Sequence, residues 1–192
     1  MADNNQINKK GDFIMACSLE KEVIEKTIEF HGHSCPGLAI GLRASELAME
    51  KLDIRNIKSP VCVTETDMCG VDAIQFLTGC SFGKGNLIHK DYGKSAFTFY
   101  DRDTQKGFRA VFKDDFARDE QDRDKRMKRI LEADLKELFL TEDVDAPPVR
   151  PAQILKSIQC DACGEMTMES RVRMFDGKNL CIPCFHKVEQ KI

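Results

Sequence analysis

The sequence predicts an α+β core domain with a mixed, partly antiparallel sheet, joined by a proline-rich linker to a small terminal module. Three observations carry this. Apolar residues recur at helical spacing in the first third of the chain and give way to short β-branched and aromatic runs in the middle. Three prolines fall between Asp145 and Pro151. Beyond them stand two paired-cysteine motifs, in a stretch too short to bury a core of its own.

Taken in order, residues 1–17 carry little pattern and are expected to form a loose arm. Ser18 is a usable N-cap, with Glu20 and Glu22 where carboxylates suit the helix dipole; Leu19, Val23, Ile24 and Ile28 then mark one side of a first helix ending near Phe30. Proline is tolerated at a first helical position, so a second helix is expected from Pro36, with Leu38, Leu42, Met49 and Leu52 on its apolar face. After a connection, Val61 to Thr66 reads as a strand, and Gly70 to Leu77 as a helix closed by Gly79. Strands are expected at residues 86–89, 95–100 and 108–112, the last two forming a hairpin across the polar loop Asp101 to Gly107. From Arg118 a charge-rich segment places Met127, Ile130, Leu131, Leu135 and Leu138 on one stripe, as a long surface helix would. The core domain thus spans 18–144, the linker 145–157 and the terminal module 158–192.

Twenty-nine basic and 32 acidic residues leave a formal charge of -3, so nucleic-acid binding would need a local basic patch. No run approaches the roughly 20 apolar residues of a membrane-spanning helix, and the first residues lack the pattern of a secretion signal. A cytoplasmic location is therefore expected. In that compartment, nine cysteines point to metal ligation or thiol chemistry rather than to disulfides.

In the terminal module, Cys160 and Cys163 form one C-x-x-C pair and Cys181 and Cys184 another, with seventeen residues between the pairs. Four thiolates at this spacing close a tetrahedron around zinc, and the ion supplies the staple that so short a segment lacks. A dithiol redox function would account for one pair but not two, and rubredoxin-like iron is the minor alternative. Phe185 to Gln190 is expected to form the helix of a treble-clef-like finger. The basic residues of the module are balanced by acidic ones, which favours a structural or protein-docking role over nucleic-acid binding. His186 is expected on the surface.

In the core, His31, His33 and Cys35 alternate along an extended segment, so they face one side. Pro36 places Cys35 at a helix N-terminus, where the dipole favours a thiolate. Cys69 stands before the next helix in the same way, and Cys80 follows that helix. Singly, such cysteines are small buried hydrophobes. Together they suggest a second site, metal or thiol, near His33, Cys35 and Cys69, with His31 and Cys80 as further candidates and zinc or a similar transition metal as the ion. The loop Gly83 to Asn86 lacks the spacing of a nucleotide phosphate loop, and His89 reads as structural.

The segments Phe30 to Ala39, Cys69 to Gln75, Thr78 to Leu87 and Cys160 to Phe185 resemble the FmdE component of molybdenum formylmethanofuran dehydrogenase and its homologues (FmdE-like proteins); the tail alone also resembles the finger of DksA/TraR-type regulators. The resemblance implies an α+β core with a metal site in a cleft, at positions matching His31, His33, Cys35, Cys69 and Cys80. It also implies a C-terminal zinc finger, and homodimers that exchange elements. The functional expectation is a metal-binding accessory or partner of a molybdenum- or tungsten-dependent one-carbon oxidoreductase. Two other classes stand beside it: an enzyme using Cys35 as nucleophile and His33 as base, and a finger-mediated regulator binding nucleic acid or protein.

Overall fold

The computed structural model describes residues 17–145 and 153–188. It divides into two compact units, residues 1–150 and 151–192.

In the first unit, α1 (Lys21–His31) and α2 (Pro36–Leu52) lead into β1 (Pro60–Thr64), α3 (Gly70–Thr78) and β2 (Leu87–His89). There follow β3 (Ala96–Asp101), β4 (Lys106–Phe112), α4 (Arg123–Glu132), α5 (Leu135–Leu138) and β5 (Phe139–Val144). The five strands form one sheet in the order β2-β1-β3-β4-β5. Only β1 and β2 run parallel, because α3 provides the crossover between them. The β3–β4 and β4–β5 pairings are antiparallel, as is β1–β3. Alternation puts Phe97, Phe99, Phe108, Ala110 and Phe112 on the sheet face that shares the main core with the helices.

α2 is the central element. The sequence suggests one apolar face, but every residue from Leu38 to Ala48 except Ile40 is buried. Small residues allow this, as does an ion pair that carries charge inward: Arg43 donates to the Glu46 carboxylate at 2.6 Å and to the Ala133 carbonyl at 2.6 Å.

That second bond marks a difference from the sequence reading. The charge-rich segment does not form one helix from Arg118. Asp122 caps α4 by accepting from the Asp124 and Lys125 N–H groups, Ala133 is extended, and α5 is a separate turn. β5 is absent from the sequence expectations because Leu140 to Asp143 are exposed, leaving no alternation to read. At the other end of the domain, α1 starts two residues beyond the helix expected from a Ser18 cap, since the Ser18 N–H is donated to Glu46.

The second unit contains two hairpins, β6 (Ser157–Gln159) with β7 (Met166–Met168) and β8 (Val172–Phe175) with β9 (Lys178–Cys181), followed by α6 (Ile182–Phe185). α6 ends at Phe185, so the helix expected over 185–190 is not formed at 186–188, and residues 189–192 lie outside those described.

Candidate metal centres

The core centre is assembled at three helix ends. His31 is the last residue of α1, and Gly32, in the left-handed region at φ 93°, turns the chain there. Cys35 is the extended N-cap of α2, and its Sγ accepts the Leu38 N–H at 3.3 Å. Cys69 is the N-cap of α3.

The two N-termini can meet because α2 and α3 cross on glycine. A Cβ built on Gly41 would overlap the Gly70 carbonyl, one on Gly70 would lie 2.9 Å from the Gly37 carbonyl oxygen, and one on Gly37 would lie 3.3 Å from Cys69 Cβ. The sequence pattern alone assigns these glycines no role, although two of them adjoin or nearly adjoin the two cysteines.

One donor atom from each of His31, His33, Cys35 and Cys69 lies within 4.8 Å of the other three. The two imidazole rings are 4.4 Å apart at their centroids. Zinc bonded to sulfur at about 2.3 Å and to nitrogen at about 2.0 Å makes a tetrahedron with edges of roughly 3.3–3.8 Å. The four donors therefore need only small adjustments to close on an ion, and two thiolates with two imidazoles would leave a Zn²⁺ site neutral.

The surroundings of His31 are a second observation that fits a cation at this position. Its Nδ1 lies 2.7 Å from Asp72 Oδ2. An ionised carboxylate only accepts hydrogen bonds, so Nδ1 carries the proton, and in the neutral ring Nε2 presents a lone pair. Nε2 is buried and has no hydrogen-bond partner among the described residues. A buried acceptor without a partner is costly, and a carboxylate behind the other ring nitrogen is the usual support of a metal-bound histidine. Asp72 has no role in the sequence expectations; its signal is a carboxylate three residues after a helix-start cysteine.

Metal-free, the Cys69 thiol resists ionisation. Burial pushes the Cys69 thiol up, and Cys35 beside it acts in the same direction. A bound cation removes this conflict by stabilising both thiolates.

Cys80 does not join the group. It lies beyond the far end of α3, a helix of nine residues and so roughly 13 Å long. It is fully buried, and burial pushes its thiol up; the same cause acts more strongly on Cys62, which also feels Cys80. Both behave as inert core residues.

In the second unit, Cys160, Cys163, Cys181 and Cys184 likewise bring their sulfurs within 4.8 Å of one another, with Cys163 Sγ and Cys181 Sγ 3.9 Å apart. Gly164, at φ 77°, donates its N–H to the Cys160 carbonyl at 2.8 Å and closes the first knuckle. The Cys181 N–H donates to Cys160 Sγ at 3.3 Å. That bond and the Cys163 N–H lower the Cys160 thiol to about 6, whereas the side chain of Cys181 above all pushes Cys184 up to about 12. Four sulfurs with no other donor form a closed structural zinc site. His186 follows α6, its ring against Phe185, and is not part of the group.

Comparison with known proteins agrees with both halves. Residues 30–151 match the family model described as FmdE, molybdenum formylmethanofuran dehydrogenase operon, and residues 153–190 match that of the prokaryotic dksA/traR C4-type zinc finger. The chain is similar to the crystal structure of a tungsten formylmethanofuran dehydrogenase FmdE-like protein from Syntrophus aciditrophicus. The TM-score is 0.68 at 28% identity, over 86% of this chain and 91% of that one. It is also 32% identical to a probable S-adenosyl-L-methionine-binding protein of Archaeoglobus fulgidus over 81% of its own length, and it spans half the length of that relative. With a family model covering the core centre and most of its domain, and a like-folded relative matching nearly end to end, the chain belongs to the FmdE family and carries a four-cysteine zinc finger after its FmdE domain.

Proposed function

We propose that the protein is a metal-binding accessory or partner of a molybdenum- or tungsten-dependent one-carbon oxidoreductase, working in the cytoplasm as a homodimer. The observation that carries the metal-binding part is the convergence of His31, His33, Cys35 and Cys69, with the His31 Nε2 lone pair buried and unpartnered among the described residues. The oxidoreductase association rests on the family and on the description of the Syntrophus aciditrophicus relative.

A zinc-like ion held there would supply a Lewis-acidic centre. The chain's residues supply the rest. Cys35 and Cys69 would provide charge to balance the ion, Asp72 sets the His31 tautomer, and the Gly37, Gly41 and Gly70 contact holds the two thiols together. The alternative in which Cys35 is a free nucleophile and His33 its base is less well supported, because Cys35 is buried and shares its surroundings with a second thiol. A second reading follows from the Archaeoglobus fulgidus relative: the FmdE domain would bind S-adenosyl-L-methionine.

Elemental analysis of protein purified without added metal tests the first reading. Two donor groups give an expected two ions per chain, falling to one in Cys35→Ser/Cys69→Ser and staying at two in Cys80→Ala. An unchanged count in the double variant refutes it. Calorimetric titration with S-adenosyl-L-methionine tests the second, which fails if the full chain gives no binding heat.

A further inference from the structure

The four donors of the core centre are not equivalent. His31 is nearly buried at its side chain, 9% exposed, and is fixed by Asp72 through Nδ1. Cys35 is buried and takes the Leu38 N–H on its sulfur. Cys69 is half-buried, and its Cβ lies in the glycine crossing against Gly37. His33 has none of this support. It is exposed, follows the left-handed Gly32 in the bend between α1 and α2, and touches His31 by its ring alone. Neither of its nitrogens makes a hydrogen bond or ion pair among the described residues.

This asymmetry has a thermodynamic reading. A ligand held by a partner behind it has lost its rotational freedom before a cation arrives, and removing such a partner commonly weakens metal binding by about 10–100-fold. An unsupported, solvated ligand must lose that freedom on binding and regains it on release. In a closed set of four donors, it is the first to yield its position.

We propose that His31, braced by Asp72, is a permanent ligand of the core centre, whereas His33 is replaceable, so that a small monodentate nitrogen or sulfur donor from solution takes its place on the metal. The inference rests on the metal-binding reading above. It assigns Asp72 as a positioning residue and His33 as the gate to a centre whose four protein donors would otherwise shut out any ligand. The donor class follows from the site: two thiolates and an imidazole form a borderline-to-soft set, which holds ions that favour nitrogen and sulfur. The exposed Met68, next to Cys69, and the exposed Phe30, next to His31, leave apolar surface on residues flanking the ligands, suited to a donor with an apolar body.

The test uses the full chain with zinc in the finger and cobalt(II) in the core, read by visible absorption, by cobalt content after gel filtration and by far-UV circular dichroism. His33→Ala is expected to keep its fold and its core cobalt. On titration with imidazole its absorption should return toward the wild-type spectrum, and with 2-mercaptoethanol it should gain thiolate-to-cobalt charge-transfer intensity. His31→Ala is expected to lose the ion, and Asp72→Asn to bind it about 10–100-fold more weakly with an unchanged circular dichroism spectrum. The proposal is overturned if His33→Ala loses cobalt as completely as His31→Ala, if neither added donor changes its spectrum, or if Asp72→Asn binds as tightly as wild type. A wild-type chain that takes up no cobalt beyond the finger refutes the underlying metal-binding reading, which is a separate outcome.

Discussion

Replacing Gly41 by alanine opposes two effects of known size. Within a helix, alanine is favoured over glycine by about 1 kcal/mol. At this position, however, the new methyl group would overlap the Gly70 carbonyl, and the obstacle is backbone rather than the end of a flexible side chain. Overpacking of a tight contact costs roughly 1–3 kcal/mol, and a backbone obstacle belongs at the upper end. The net expectation is destabilisation by about 2 kcal/mol. Metal binding should respond more sharply than stability. Relieving the overlap requires α2 and α3 to separate by about 1 Å, whereas ligand distances tolerate only about 0.2 Å. Urea unfolding followed by circular dichroism, together with elemental analysis, measures both effects. Gly83→Ala is the control: a Cβ there meets nothing within 4 Å, the backbone is not left-handed, and the change should stay within about 0.5 kcal/mol. A Gly41→Ala protein as stable as that control, with its full metal content, would show that the glycine crossing does not position the thiols.

In the finger, Cys184, with its thiol near 12, and Cys163, also raised, are protonated at neutral pH, so zinc must displace both protons. Affinity should therefore rise at least about 100-fold per pH unit from about pH 6.5 to 8, with Cys160 already ionised and contributing little, and competition against a chromophoric chelator that gave a flat profile would contradict the assignment. Glu65 accepts from Arg109 Nε at 2.6 Å and from a terminal nitrogen at 2.9 Å, and the Arg109 hydrogen bond holds its carboxyl below the usual range. Its contribution to stability is present above the unfolded value of about 4.3 and is lost as pH falls through the lower folded value. Glu65→Gln should cost about 2 kcal/mol at pH 7, less than a fully buried pair because Arg109 reaches solvent, and should flatten the acid limb of the stability profile; an unaltered limb would place the acid sensitivity elsewhere.

The parts of the molecule that are legible from sequence are those where one residue has one local consequence. Pro36 starts α2, Gly79 ends α3, and the Cys160–Cys163 and Cys181–Cys184 spacing defines a closed sulfur cluster. What stays hidden depends on partners far along the chain. The break at Ala133 is held by Arg43, ninety residues away, and β5 is a strand because β4 offers it an edge rather than because its own residues alternate. The core site lies between these extremes. The alternation of His31, His33 and Cys35 and the helix starts at Cys35 and Cys69 can be read directly. The pairing of His31 with Asp72, forty-one residues on, cannot, and it is this contact that distinguishes the two histidines.

Every donor of the core centre, together with its supporting carboxylate, falls between His31 and Asp72, and the finger's four sulfurs fall between Cys160 and Cys184. During synthesis the first set is therefore complete before β3, β4 and β5 have left the ribosome, while the finger's set follows only after all three strands. A cation captured early would hold α1, α2 and α3 in register while their apolar sides still await the sheet, so metal supply during translation bears on how much of the newborn chain reaches its native fold.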